Sequence, residues 1–251
     1  MSNFYTNTSP VINVYRKASL KSEVVTQIIF GERFSILKKT SKWLNIRIKE
    51  DGYKGFIKNK DFPNFLKPTH KVNILKANVY KYSNKRNKLY EITFGSKIKV
   101  SGKKSNFLKF SKGWINKKDV KPINYREKNP FKNIIFFKNT KYKWGGKSFK
   151  GIDCSALIQV FLNFNNKFCP RDARDQVKFF KRNIKLKNIK KNDIIYWKGH
   201  VALALSKNKL IHAYGPMKKT KNLTKNPPFR IIAKAHVKTC IPRTKNPRLR
   251  S

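Results

Sequence analysis

Along the first half of the chain, apolar residues recur at every second position in short runs. "FSILKK" (34–39) and "WLNIRI" (43–48) show the period of a strand with one face buried and one in water. Turn signals such as "EDG" (50–52) and "SNK" (83–85) separate the runs. The pattern then repeats. Val14-Tyr15 answers to Val79-Tyr80, Phe30-Gly31 to Phe94-Gly95, Trp43-Leu44 to Phe107-Leu108, Gly55-Phe56-Ile57 to Gly113-Trp114-Ile115, and Asp61 to Asp119. Each unit spans about sixty residues, and short strands at regular spacing predict a small barrel that closes its own edges. "FPNFLKPTH" and "KPINYREKNP" read as proline-containing linkers.

The second half has a different period. "NPFKNIIFFKNTKYKWGG" reads as a short helix running into a turn. After Gly151, "DCSALIQVFLNFN" is apolar at Ala156, Leu157, Val160, Phe161 and Phe164, with Ile158 and Leu162 forming a second stripe. This predicts a helix buried on most of its circumference, with Asp153 as N-cap and Cys154 in the first turn. "NDIIYW", "HVALAL" and "KLIHAY" predict three strands, and "FRIIAKAHVKTC" a closing strand. One helix followed by an antiparallel sheet gives an α+β unit.

A cysteine at a helix N-terminus sits where unpaired N–H groups favour a thiolate. It needs a base, and the chain has four histidines: His70, His200, His212 and His236. A three-residue loop at 206–208 pairs Leu205 with Lys209 and sets Ala202 opposite His212. His200 then lies diagonal to His212 on the same face. A one-residue slip would send the two imidazoles to opposite faces. The small Ala202 and Ala204 are expected to leave room on that face for the helix bearing Cys154. Taken singly, a buried cysteine is ordinarily an inert small apolar residue, and a strand histidine is ordinarily just packed. Cys169, without a base in its motif, keeps that structural reading.

The chain has 251 residues and a formal net charge of +48. That charge predicts non-specific attraction to polyanions. Its lysines are spread over the whole length, whereas a dedicated nucleic-acid surface would cluster them, so no specific nucleic-acid partner is expected. Abundant Lys, Asn, Ile and Phe also fit AT-rich coding. Three cysteines, Cys154, Cys169 and Cys240, show no zinc spacing and suit reduced thiols. No apolar run reaches the length of a membrane span, and the first residues show no secretory h-region, so a cytoplasmic protein is expected.

Several motifs together resemble a known family. "YKWGG…GIDCSALIQ", "PRDARDQ", "NDIIYWKGHVAL" and "LIHA" are similar, in order and spacing, to the NlpC/p60 family of papain-like cysteine peptidases. The two repeats resemble bacterial SH3-like domains, which bind wall peptides or shape a neighbouring active site. The fold class this implies is two small all-β SH3-like barrels (1–66 and 67–124) followed by an α+β papain-like domain, its helix packed on an antiparallel sheet (125–251, with a basic tail from about 241).

The layout resembles bacterial γ-D-glutamyl-L-diamino acid endopeptidases, which cut murein stem peptides. The resemblance implies Cys154 as nucleophile, His200 as general base, and His212 as orienting residue. It further implies Tyr142 at the substrate or oxyanion, Asp153 and Ser155 along the groove, a thiolate–imidazolium pair, and no cofactor or metal. Ala156 stands where the family most often has Gly. A substrate amine would call for Asp153 first and Asp172 second, and a substrate carboxylate for Arg171. Competing readings are a catalytically silent wall- or polyanion-binding module, and an amidase or acyltransferase of the same fold acting on another substrate.

Overall fold

In the computed structural model, residues 4–180, 184–215, 219–224 and 233–236 are described. Cys240 and the basic tail lie outside them, as do the flanks of the expected closing strand. The strand itself is present over Ala233–His236, paired antiparallel to Asp193–Trp197.

The first repeat is a six-stranded antiparallel sheet over Phe4–Lys58. The second, over His70–Pro122, splits into a three-stranded and a five-stranded sheet. The sequence correspondences have physical causes. Both Val-Tyr pairs sit at a β-bulge, between Val14 and Tyr15 and between Val79 and Tyr80. Both bulges are crossed by the glycine of the G-[FW]-I strand. A Cβ at Gly55 would lie 2.5 Å from Val14 Cγ1, and one at Gly113 the same distance from Val79 Cγ1. No other residue fits so close a strand approach. The paired aromatics meet edge-on in each unit, Tyr15 with Trp43 at 5.6 Å and Tyr80 with Phe107 at 6.1 Å.

The Phe-Gly pairs join the units in series. Gly31 and Gly95 turn the chain at φ +79° and +81°. Each preceding phenylalanine enters the next unit's core. Phe30 packs among Val72, Ile92, Leu108 and Phe110 of the second repeat. Phe94 packs among Phe137, Phe161 and Phe164 of the third unit, its ring 4.6 Å from that of Phe161. Burying a phenylalanine side chain contributes about 1.5–3 kcal/mol, so each staple is a substantial part of its junction.

The third unit begins with a 3-10 turn at Ile134–Phe137 rather than an α-helix. Helix α1 spans Cys154–Phe164, with every residue buried except Asn163. Helix α2, Ala173–Phe179, is not predicted from the sequence: its "ARDQVKF" has three apolar residues, and only the Ala173–Val177 pair shares a face toward the core. The sheet holds strands Asp193–Trp197, His200–Ala204 and Lys209–Tyr214 in antiparallel order. Leu203 pairs with Ile211 and Ala204 with Leu210, and the Leu205 N–H donates to Lys209 O. This is the expected register.

The docking face differs from expectation. Helix α1 packs on Val201, Leu203, Ile211 and Ala213. Ala202 and Ala204 face away, against Ile189, Ile195, Leu210 and Trp197. Buried apolar area decides this: the helix covers the branched residues, and the alanines lie under a smaller cluster.

Candidate active site

Asp153 caps α1. Its backbone is extended, and its Oδ1 accepts from the Ala156 N–H at 2.8 Å. Cys154 is therefore the first helical residue, where the N–H has no intrahelical partner. Ala156, at 0% exposure, fits the packing without a glycine. The thiol lies at the start of the His200–Ala204 strand, against the Val201 backbone N–H. Gly199, just before His200, lines the same cavity as Cys154, but the rings of His200 and His212 do not. They share the strand face of Ala202, turned away from α1, where Trp197 packs against both.

His200 Nε2 and His212 Nδ1 are 2.8 Å apart. One proton is shared along that line. With it on His200 Nε2, the Nδ1 of His200 is left bare as the basic nitrogen. Tyr214 stacks on His212 at 5.1 Å, and Trp197 packs on His200 at 4.6 Å. His212 Nε2 is buried without a hydrogen-bond partner among the described residues. Nothing there competes with His200 for the ring.

Burial sets the resting charges. It pushes His200 down to about 3, with His212 adding to the effect, and His212 down to about 4. Burial, then the Asp153 carboxylate, pushes the Cys154 thiol up to about 12 against the pull of the Val201 N–H and Arg171. Burial therefore favours a neutral thiol and neutral imidazoles over the expected thiolate–imidazolium pair. Desolvation of both partners outweighs the helix N-terminus.

Arg171 also departs from expectation. It lines the cavity, yet its donors are engaged inside the protein. Nη2 donates to Asp153 Oδ2 at 2.6 Å and Nη1 to Asp153 Oδ1 at 3.1 Å. Nη1 also reaches Ser155 Oγ at 2.9 Å, and Nε reaches Thr26 Oγ1 at 2.7 Å. Burial opposes its charge, but Asp153, with Asp172 and Asp51 behind it, raises its pKa above the ordinary range. A fork this occupied holds the N-cap carboxylate; it is not waiting for a ligand. Ser155 completes the group, donating to Asp153 Oδ1 at 3.2 Å.

A cavity of about 420 Å³ opens over Cys154. Tyr142, Asp153, Ser155, Arg171 and Asp172, all expected at the site, line it. Burial, then Cys154 and Asp153, pushes Tyr142 up to about 12, so it keeps its phenol proton. Asp172 stands at the N-cap position of α2 but does not cap it. It accepts instead from Tyr53 Oη at 3.2 Å.

Part of the lining comes from the first SH3-like unit, which sequence reasoning missed: Arg16, Glu23, Val25 and Tyr53, together with Trp144 and Arg174 of the third unit. Five further polar contacts join these units. Trp144 Nε1 donates to Glu23 Oε1 at 2.6 Å, the Lys147 N–H to Gln27 Oε1 at 2.8 Å, and Gln159 Nε2 to Asp51 Oδ2 at 3.0 Å. Lys147 Nζ lies 2.7 Å from Glu32 Oε1, and Arg171 reaches Thr26 as above. The first repeat thus forms a wall of the site. No local signal reveals this, since Tyr53 and Asp172 lie 119 residues apart.

The comparisons with known proteins agree with this architecture. Residues 139–232 match the NlpC/P60 family, and residues 14–62 the bacterial dipeptidyl-peptidase Sh3 domain. The chain carries an NlpC/P60 domain preceded by a bacterial SH3 domain.

Among curated relatives, dipeptidyl-peptidase 6 of Lysinibacillus sphaericus is 37% identical over 89 residues, 36% of this chain and 32% of that protein. A probable endopeptidase NlpC homolog of Haemophilus influenzae is 33% identical over 79 residues, 30% of this chain and 42% of that protein. The chain thus spans less than half the length of either. An NlpC/P60 family protein from Bacillus cereus superposes with TM-score 0.78 at 15% identity, over 93% of this chain and 99% of that one. An NlpC/P60 endopeptidase from Photobacterium damselae gives TM-score 0.58 at 12% identity, over 92% of this chain and 65% of that one. At such identities the likeness is one of fold.

Proposed function

We propose that this chain is a cysteine endopeptidase that hydrolyses the γ-D-glutamyl–diamino acid bond of murein stem peptides. The observation that carries the reading is a cysteine heading a helix at the floor of a cavity, beside a strand whose first residue belongs to a 2.8 Å imidazole pair. The matched relatives, a dipeptidyl-peptidase and a probable endopeptidase, support the same class.

In this reading, substrate enters the cavity and excludes water. The Cys154 S–H proton passes to His200 Nδ1 as sulfur bonds to the carbonyl carbon. The oxyanion accepts from the Cys154 N–H and the Tyr142 hydroxyl. The C–N bond then breaks, and the amine leaves with the proton from His200. Water, deprotonated by His200, attacks the thioester; the acid leaves and the thiol recovers its proton. His212 holds His200 in the tautomer with Nδ1 bare. Because burial favours a neutral thiol and a neutral imidazole, proton transfer accompanies attack.

The wall from the first repeat bears on the substrate. Tyr53 and the half-buried Asp172 line the cavity, whereas Glu23, also in the lining, is taken by Arg16 Nε at 2.6 Å and by Trp144. Acidic and phenolic oxygens at the edge of a confined cavity suit a protonated amine. The favoured substrate is a short peptide with a free N-terminus.

The test compares L-Ala-γ-D-Glu-diamino acid peptides, free and N-acetylated, with wild type and Cys154→Ser, read by mass spectrometry. Wild type is expected to release L-Ala-D-Glu from the free peptide, to cleave the acetylated one at least tenfold more slowly, and to lose all turnover with the serine variant. Cleavage that survives Cys154→Ser, or absence of cleavage by a folded wild type, overturns the reading.

A further inference from the structure

The second SH3-like unit contributes no side chain to the cavity over Cys154, and its charge is unlike that of the first. Residues 1–66 carry twelve Lys and Arg against five acids, whereas residues 67–124 carry sixteen against two, Glu91 and Asp119. Glu91 is engaged by Lys76 and Lys88, both at 3.2 Å. The unit also contains a hollow of about 640 Å³. It is lined by His70, Asn106, Asn116, Lys117, Lys118 and Lys121, with Val120 and Pro122 between them. Among the described residues no acid lines it, and no Phe, Tyr or Trp; His70 is its one ring.

The fold fixes this arrangement. Lys117 and Lys118 form a 3-10 turn capped by Asn116 Oδ1, which accepts from the Lys118 N–H at 3.1 Å. The Lys117 N–H donates to Asn106 O at 2.8 Å and draws the neighbouring hairpin tip to the rim. Lys121 lies on the Val120–Pro122 strand, whose Pro122 pairs with His70. Its Nζ sits 5.4 Å from the Tyr125 ring centroid. Asp119 acts electrostatically on Lys118 and Lys85 but does not line the hollow. Among the described residues, no carboxylate forms an ion pair with Lys117, Lys118 or Lys121. Three ammonium groups around one concavity repel each other, a cost that a bound anion relieves.

We propose that this hollow binds a linear polymer of phosphodiesters without bases, a polyol phosphate chain, through Lys117, Lys118 and Lys121, with the Asn106 and Asn116 amides donating to phosphate oxygens. Lysine binds phosphate as a point charge, which suits a flexible chain of single negative charges; the lining lacks the arginine fork that rigid bidentate recognition of carboxylate or phosphate uses. A nucleic-acid site would add several large aromatic platforms for stacking, and the hollow offers only the single His70 ring. The site is separate from the peptidase cavity and does not depend on that assignment. It tethers the protein; it does not take part in cleavage.

The test is binding of a fluorescent glycerol phosphate oligomer to the full chain by anisotropy, between 50 and 200 mM salt. The variant Lys117→Gln/Lys118→Gln/Lys121→Gln is compared with Lys38→Gln/Lys39→Gln/Lys42→Gln, which removes equal charge from exposed positions of the first unit. The hollow variant is expected to bind at least tenfold more weakly, and its log–log salt slope to become shallower by about 2–3. The control is expected to change less than twofold. The single change Lys118→Gln gives an intermediate loss, and the melting temperature of each variant confirms folding. Equal losses in both triple variants overturn the proposal, because the attraction is then only that of net charge. A single-stranded DNA of equal charge that binds as tightly as the oligomer, and loses affinity in the hollow variant, also overturns it, because the hollow then does not select a base-free chain.

Discussion

The buried Arg171–Asp153 pair offers the sharpest test of how the site is held. Arg171→Met removes a side chain of 1% exposure and leaves the Asp153 carboxylate, at 8%, with the Ala156 N–H and the Ser155 hydroxyl as its remaining partners. Breaking a buried pair from one side costs about 3–5 kcal/mol, because a charge is left uncompensated. At about 2–4 °C per kcal/mol for a chain of this size, the melting temperature should fall by roughly 6–20 °C.

Adding Asp153→Asn removes that charge, and asparagine caps a helix as well as aspartate does. The double variant should therefore recover at least about 2 kcal/mol, leaving mainly the loss of the Thr26 and Ser155 bonds. Thermal melting and urea titration of both variants measure this. Peptide-mapped alkylation of Cys154 adds a readout that a merely structural role would not move. The unopposed Asp153 charge should slow alkylation in Arg171→Met at fixed pH, and Asp153→Asn should reverse that. If single and double variants melt together and alkylate alike, Arg171 does not act by neutralising the N-cap, and the reasoning fails.

Other outcomes follow from the same geometry. Below the ordinary histidine pKa the unfolded chain takes up protons that His200 and His212, held down to about 3 and about 4, refuse. Stability should therefore be retained above about pH 6.5 and lost as pH falls, with a limiting slope of about 1.4 kcal/mol per pH unit for each ring. Urea titrations from pH 7 to 4.5 check this, and a flat profile refutes it. Gly113→Ala places a Cβ 2.5 Å from Val79 Cγ1 and should cost about 1–3 kcal/mol, measured by urea midpoint; an unchanged midpoint would mean the strands part freely. Phe94→Ala, which empties the staple between the second repeat and the third unit, should cost about 3–5 kcal/mol, again by urea midpoint. Tyr53→Phe frees Asp172 from its phenol and should raise KM for the free-amine peptide several-fold at similar kcat. A fall in kcat alone would place Tyr53 outside substrate binding.

What was legible in the chain was local. The α1 cap, the position of Cys154, and the strand register around His200 and His212 each follow from a few neighbouring residues, because caps and hairpin loops act over short spans. The repeat was legible because its glycines answer one constraint twice, the close crossing at Val14 and at Val79. What was not legible depended on partners far away in sequence. Both faces of the His200–Ala204 strand are buried, so alternation alone does not say which one meets a helix. Arg171 reads as a ligand for anions until Asp153 and Thr26 stand around it. Thr26 lies 145 residues from Arg171 and carries no mark of its role.

The scarcity of acids, which drew attention to polyanions, has a second meaning in the folded chain. Of the five acids in residues 1–66, Glu23 meets Trp144, Glu32 meets Lys147, Asp51 meets Gln159, and Glu50 meets Lys97 of the second repeat. Four of the five therefore sit at junctions between units, and Asp153 is held by Arg171 beside the thiol. Glu23 is exposed, but Glu32, Glu50, Asp51 and Asp153 stand where a lost carboxylate would leave a largely buried cation or amide unmatched. Net charge is consequently a poor guide to the site, whose electrostatics are set by a handful of paired groups. It is informative in the second repeat, where Glu91 is taken by Lys76 and Lys88, Asp119 acts on Lys118 without an ion pair, and no carboxylate among the described residues lines the hollow between Asn106 and Lys121.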